Sequence, residues 1–151
     1  MSEASQPAGT ALMVRIERRT GLGVAAGAAA ATAAGLLLGA LQGGTGRQSH
    51  ELGFWALAIG LLVGAVLGKV GGRGRAVALW GIPLALAGVA LAQLLAAASQ
   101  AAPGYSALDL FTGHPGPALD YWWTEILGRN DVTFYTVAGL EGYLVAQRVA
   151  E

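Results

Sequence analysis

Residues 52–68, LGFWALAIGLLVGAVLG, form an uncharged run of 17 residues that stops at Lys69. A bilayer core of about 30 Å is crossed by about 20 apolar residues in an α-helix. The run therefore predicts a transmembrane helix, with the Lys69 ammonium reaching the interface. Residues 20–41 and 76–98 are uncharged for 22 and 23 residues and predict two more spans. Residues 132–149 are a weaker fourth candidate because they include Glu141 and Gln147.

The predicted fold class is all-α: an integral membrane bundle of about four transmembrane helices. Residues 1–19 are predicted to be a polar cytoplasmic tail, loose except for a short helical lead-in, and residues 20–151 a single membrane domain. A cleaved signal peptide is the alternative for residues 20–41. The length of the run disfavours it, since the apolar part of such peptides has about 7–15 residues.

The composition excludes several classes of protein. Apolar residues make up 54% of the chain and charged residues 12%, against about 45–50% and about 25% in soluble domains. The absence of cysteine excludes disulfides, iron–sulfur clusters and thiol catalysis. The net charge of zero gives no basic field for nucleic acid, so no nucleic-acid partner is expected.

The distribution of positive residues predicts the orientation. With the N-terminus inside, the cytoplasmic segments hold seven Lys and Arg residues, and the outer segments hold only Arg47 and Arg129. Positive residues collect in cytoplasmic loops, so four spans with both termini inside are predicted.

The outer loop, residues 101–131, is rich in aromatic residues, which concentrate at membrane interfaces. Ser106 and Asp109 have the spacing of a capping box that opens a short helix. Residues 117–127 are predicted to form a second short, interfacial helix, with Leu119, Trp122, Trp123 and Ile126 facing lipid or the bundle. Asp131 is predicted to cap the fourth span.

Small residues recur at every fourth position in the first two predicted spans. The principal positions are Gly27, Gly35, Gly39, Gly60, Gly64 and Gly68. This spacing gives each helix one face that permits close helix packing. Two alternatives remain: the first two helices pack together as a hairpin, or the faces form an interface between copies of the chain.

Glu141 is an acidic residue well inside a predicted span, and such residues are costly and often functional. Gln93, Thr136 and Tyr143 are candidate polar partners, and Gln93 with Glu141 forms the candidate transport or polar site. The alternative is a shallow, tilted fourth helix that brings Glu141 to a polar cavity or the inner interface.

No motif predicts a cofactor, a metal or a catalytic group. His50 and His114 lack the spacing of metal ligands and are expected to be solvated loop residues. Residues 71–74, Gly-Gly-Arg-Gly, lack the Lys-Ser/Thr of a phosphate-binding loop and predict a tight cytoplasmic turn.

Three segments resemble small multi-spanning membrane proteins of bacteria. They are Gly60, Gly64 and Gly68 with Lys69, then Gly71-Gly72-Arg73-Gly74, and the ending of residues 143–148. The resemblance covers roughly residues 50–100 and the last helix. It implies a bacterial cytoplasmic membrane and brings no activity with it.

Two hypotheses of function follow. The first is a non-enzymatic structural or interaction subunit that contacts the lipid bilayer and either a second copy or another membrane protein. The second is a small channel or carrier that uses Glu141 as an intramembrane ion or proton site.

Overall fold

The computed structural model describes residues 8–45, 52–72, 74–101, 106–126 and 132–150. These residues are helical apart from turns and short links, and none of them is in a strand. The helices are α1 (Ala8–Thr45), α2 (Leu52–Gly71), α3 (Arg75–Ala101), α4 (Ala107–Phe111), α5 (Gly116–Tyr121) and α6 (Val132–Val149), with a π-helical turn at Trp122–Ile126 after α5.

Within the described ranges, three helices are long and apolar enough to cross a membrane, over Arg19–Gln42, Phe54–Gly71 and Arg75–Ala101. The fourth predicted span coincides with α6, which has 18 residues but is less apolar and is not among the three. Helix α1 begins at Ala8, so the predicted tail is helical from that residue, whereas a loose segment with only a short helical lead-in was expected. No glycine or proline interrupts residues 10–20, and a helix extends readily once formed.

Helices α2 and α3 form the centre of the bundle. Helix α1 packs against both, and α6 packs against the same two helices. Gly23 of α1 contacts Gly71 at the end of α2, and Gly68 of α2 lies beside Val149 at the end of α6. The four long helices α1, α2, α3 and α6 therefore alternate in direction along the bundle.

The two ends of the bundle differ in charge. One end, called the basic end, holds Arg19, Lys69, Arg75 and Arg148, all exposed. At the other end, called the acidic end, α3 contacts α4, α5 and the π turn. The exposed charged residues described in the segment of α4, α5 and the π turn are Asp120 and Glu125, and Asp109 is half-buried.

Small residues fill the core while large apolar residues cover its surface. Among the buried residues are Ala56, Ala85 and Ala97, each at most 2% exposed. Leu37 and Phe54, in contrast, are 63% and 70% exposed. A soluble protein seldom exposes large continuous apolar areas, whereas lipid solvates them and close packing of small residues holds membrane helices together.

The glycines of α1 face both central helices. A Cβ at Gly27 would lie 2.8 Å from the Leu67 side chain of α2. Further along, a Cβ at Gly35 would lie 2.8 Å from the Gly88 carbonyl oxygen, and one at Gly39 would lie 2.6 Å from Leu95, both in α3.

Helices α1 and α2 do pack together, as the hairpin alternative predicted, but the glycine face of α2 lies against α6 and not against α1. Added Cβ atoms at Gly60, Gly64 and Gly68 would lie 2.6–2.7 Å from the carbonyl oxygens of Ala138, Gly142 and Ala146. A four-residue spacing defines a face but not its partner, and here the backbone of α6 occupies that face. The glycine faces thus make contacts within one chain, in three pairings: α1 with α2, α1 with α3, and α2 with α6.

Candidate functional site

Gln93 of α3 is a polar residue in the core and is only 2% exposed. Its Oε1 accepts a hydrogen bond from the Trp122 indole Nε1 at 3.0 Å. It also accepts one from the Tyr135 hydroxyl. An indole nitrogen only donates, so the atom that faces Trp122 must be the amide oxygen.

The Gln93 amide therefore joins three elements near the acidic end: α3, the π turn and the first turns of α6. Buried polar groups are costly unless they are hydrogen-bonded. The three elements are therefore favoured in the one arrangement that keeps the hydrogen bonds to the Gln93 amide. The Nε2 atom of Gln93, however, is buried without a hydrogen-bond partner. The site thus holds two N–H donors with no acceptor.

An apolar groove of about 470 Å³ lies beside this junction, between α3, the π turn and α6. Its lining consists of Leu86, Ala87, Ala90, Trp122, Val132 and Tyr135. Both hydrogen-bond partners of Gln93 are thus also walls of the groove. Volumes of about 300–1,000 Å³ are usual for small-molecule sites.

Trp122 and Tyr135 were not predicted as partners of Gln93. Trp122 was expected to face lipid or the bundle, and the structure places its half-buried ring against α3, while Leu119 and Trp123 are exposed. The general need of buried Trp and Tyr for a hydrogen-bond partner was an available signal, but it does not identify the partner.

Glu141 is half-buried on α6, and its Oε2 is buried without a hydrogen-bond partner. The candidate partners are engaged elsewhere. The Thr136 hydroxyl donates to the Val132 carbonyl at 2.8 Å, and the Tyr143 hydroxyl accepts from Gln147 Nε2 at 2.7 Å.

The structure does not bring Gln93 and Glu141 together. Gln93 is bonded to Tyr135, and Glu141 lies six residues after Tyr135 on the same helix. Six residues turn an α-helix by about 240°, so the two side chains leave α6 in different directions. Glu141 also precedes Arg148 at the basic end by seven residues, or about 10 Å.

The short helix α4 begins at the predicted capping pair. The Ser106 hydroxyl and backbone N–H both donate to Asp109 Oδ2, at 2.8 and 2.7 Å. These bonds to Ser106 hold the pKa of the Asp109 carboxyl below its ordinary value, with a smaller contribution from the charge of His114. The predicted second helix is present as α5 and the π turn, over residues 116–126, while Asp131 lies outside the described residues.

No group of three or more potential metal ligands occurs among the residues that the structure describes. His50 lies outside them, and His114 is exposed. Comparisons with family models, curated proteins and solved structures gave no match.

Proposed function

We propose that this chain is a non-enzymatic, multi-pass membrane protein that acts as a structural or interaction subunit. The main support is the interior of the described bundle, where small apolar residues pack helix against helix. Gln93 and Glu141 lie apart, and Gln93 is bonded to aromatic side chains. A channel requires several polar residues along one path. Gln93 and Glu141 do not form such a path in the part of the chain that the structure describes.

We further propose four spans with both termini on the cytoplasmic side of a bacterial inner membrane. The charge difference between the two ends of the bundle supports this orientation, because positive residues collect on the cytoplasmic side. The packing of α6 along α2 and α3 supports its crossing with them. The bacterial setting is supported by the resemblance to small bacterial membrane proteins.

Reporter fusions test this topology. Fusions after Arg75 and at the C-terminus should be cytoplasmic, and a fusion between α4 and α5 should be external. An external C-terminus would contradict the four-span proposal and leave α6 as a surface helix.

The partner is proposed to be a second copy or another membrane protein, which contacts the exposed leucine-rich surface. Photocrosslinking from exposed positions such as Leu37 in native membranes tests this proposal. Crosslinks to one defined protein species would support it. Crosslinks to lipid alone, from every exposed helix face, would contradict it.

A small channel or carrier is the second candidate, and the buried, unpartnered Oε2 of Glu141 favours it. A carboxyl in a membrane needs a cation, a donor or a proton. Proton and cation flux should be measured in liposomes with the wild type and with Glu141→Gln, which keeps the shape of the side chain. Flux that Glu141→Gln abolishes in a folded protein would establish transport, and the absence of flux in the wild type would favour the structural subunit.

A further inference from the structure

The basic end carries two cations on neighbouring helices, Lys69 in the last turn of α2 and Arg148 in the last turn of α6. Gly68 lies against the carbonyl oxygen of Ala146, and the two glycine contacts before it follow the same parallel register. Lys69 comes one residue after this contact, and Arg148 comes two residues after it. The two cations are therefore level along the helix axes to within about 1.5 Å.

Lys69 lies on the flank of α2 that points away from the core. Leu67, which precedes the contact residue Gly68, is fully buried and faces α1, where Gly27 lies against its side chain. Successive residues of a helix are turned by about 100°. Lys69 follows Gly68, so it lies on the opposite flank, where it is exposed.

Arg148 lies on the corresponding flank of α6. Ala138 contacts α2, and the next residue, Gly139, faces α3 beside Ile82. A residue that precedes an α2 contact is therefore on the flank away from α3. Val149 contacts α2, so Arg148 is on that outer flank, and it is exposed. Because the two helices are parallel and face each other, both cations lie on one side of the α2–α6 pair.

These two positive charges have no counterion among the described residues. The structure shows no ion pair for either side chain within the described ranges. Glu141 is on the same flank of α6, but it lies seven residues, or about 10 Å, deeper than Arg148. Neighbouring like charges repel each other, and an anion between them would remove this repulsion. Arginine and lysine are the side chains that bind phosphate groups.

The position of the pair selects a lipid as the source of the phosphate. Lys69 lies within the apolar length Phe54–Gly71, two residues before its end. Val70 beside it is exposed, and so is Leu144, one turn before Arg148. A phospholipid has its phosphate at this boundary and its chains along the apolar surface. A soluble acidic protein would instead meet the bundle beyond the ends of the spans.

We propose that Lys69 and Arg148 together bind the phosphate of one anionic phospholipid, whose acyl chains lie along the outer side of the α2–α6 contact. The assignment to the cytoplasmic leaflet rests on the proposed orientation, in which the basic end is inside. Basic residues at the cytoplasmic ends of membrane helices are attracted to the anionic lipids of that leaflet.

Native mass spectrometry from detergent micelles tests the proposal, with phosphatidylglycerol and phosphatidylethanolamine of identical chains as probes. The first lipid is anionic and the second has no net charge. The wild type should prefer phosphatidylglycerol by about tenfold or more, because each cation near an anionic lipid surface contributes about fivefold. Lys69→Gln and Arg148→Gln should each lower this preference about fivefold, and the double variant should abolish it.

Arg19→Gln combined with Arg75→Gln is the matched control for the double variant. It removes the same charge from the same end of the bundle, on α1 and α3, and should leave the preference unchanged. Lys69→Arg combined with Arg148→Lys keeps both charges and should also retain the preference, which separates lipid binding from a loss of folding.

Equal loss in the two charge-removing double variants would show a general attraction to the basic end and overturn the proposal. The absence of a preference in the wild type would also overturn it. Glycerol phosphate, which has the phosphate without the chains, should not compete with the lipid, and full competition would assign the pair to a free phosphate instead.

An acidic protein is the alternative occupant. Photocrosslinks from Val70 in native membranes should reach lipid. A crosslink to a protein that the Lys69 and Arg148 double variant abolishes would assign the pair to that protein and overturn the lipid assignment.

The micelle experiment does not depend on which end faces the cytoplasm. If the reporter fusions placed the basic end outside, the proposed topology would fail, while the lipid preference would still report on Lys69 and Arg148. The assignment to the cytoplasmic leaflet would then be refuted separately from the binding itself.

Discussion

The contact of α2 with α6 predicts that Gly60→Ala destabilises the bundle although alanine is the better helix former. The added Cβ would lie 2.6 Å from the Ala138 carbonyl oxygen and 3.3 Å from the Ala138 Cα. Ordinary contact begins at 3.4 Å. Because the obstacle is backbone within a helix, α6 must move away by nearly the whole difference.

The magnitude follows from that displacement. Overpacking of a well-packed core costs about 1–3 kcal/mol, and the better helix propensity of alanine offsets up to about 1 kcal/mol. A net loss of about 1–2 kcal/mol is expected, or roughly 3–6 °C in melting temperature for a chain of this size. Gly60→Leu and Gly64→Leu should lose more, because larger side chains force the helices further apart.

Gly21→Ala is the matched control. Gly21 is also helical, but a Cβ there meets nothing within 4 Å, so the change should be neutral or stabilising by up to about 1 kcal/mol. Thermal unfolding in detergent, followed by circular dichroism and tryptophan emission, provides the comparison. Equal melting temperatures for Gly60→Ala and Gly21→Ala would refute the close contact of α2 and α6.

Three further changes test other contacts. Leu62→Ala should lower the melting temperature less than Gly60→Ala because Leu62 is 46% exposed, and a larger loss would place Leu62 at a helix contact. Gln93→Leu should destabilise the protein by about 1–2 kcal/mol, since it leaves the donors of Trp122 and Tyr135 without their acceptor; unchanged thermal unfolding would contradict the hydrogen bonds. Because the pKa of Asp109 is lowered in the fold, its stabilisation of α4 is present above the unfolded pKa of about 3.9 and lost as the pH falls through the lower folded value. Amide exchange in α4 should therefore accelerate at acidic pH in the wild type beyond its intrinsic dependence and not in Asp109→Asn, and parallel profiles would exclude this role.

Much of the local structure could be predicted from local pattern. Uncharged runs of sufficient length predicted three helices that are long and apolar enough to cross a membrane, because the bilayer thickness fixes a minimum length. The fourth remains a prediction as a span, since Glu141, Gln147 and Arg148 lower the apolarity of α6. The start of α4 followed from the Ser106 and Asp109 pair, which acts over only three residues.

The candidate site could be predicted only in part. Gln93 and Glu141 were recognised because a polar residue in an apolar helix is unusual. Their surroundings were not recognised, since the partners of Gln93 are 29 and 42 residues away along the chain. No short-range spacing in the sequence encodes such a contact. Gln93 and Glu141 are also not hydrogen-bonded to each other in the fold.

The sequence by itself determined the helical class, the positions of the helices and the existence of glycine faces, because these depend on hydropathy and a periodicity of a few residues. Only the tertiary structure decided which faces meet, with α1 against α2 and α3, and α2 against α6. It also decided that Gln93, Trp122 and Tyr135 converge beside a groove. The reason is physical: a small-residue face permits close approach to any helix, and the choice of neighbour depends on the packing of all the helices at once.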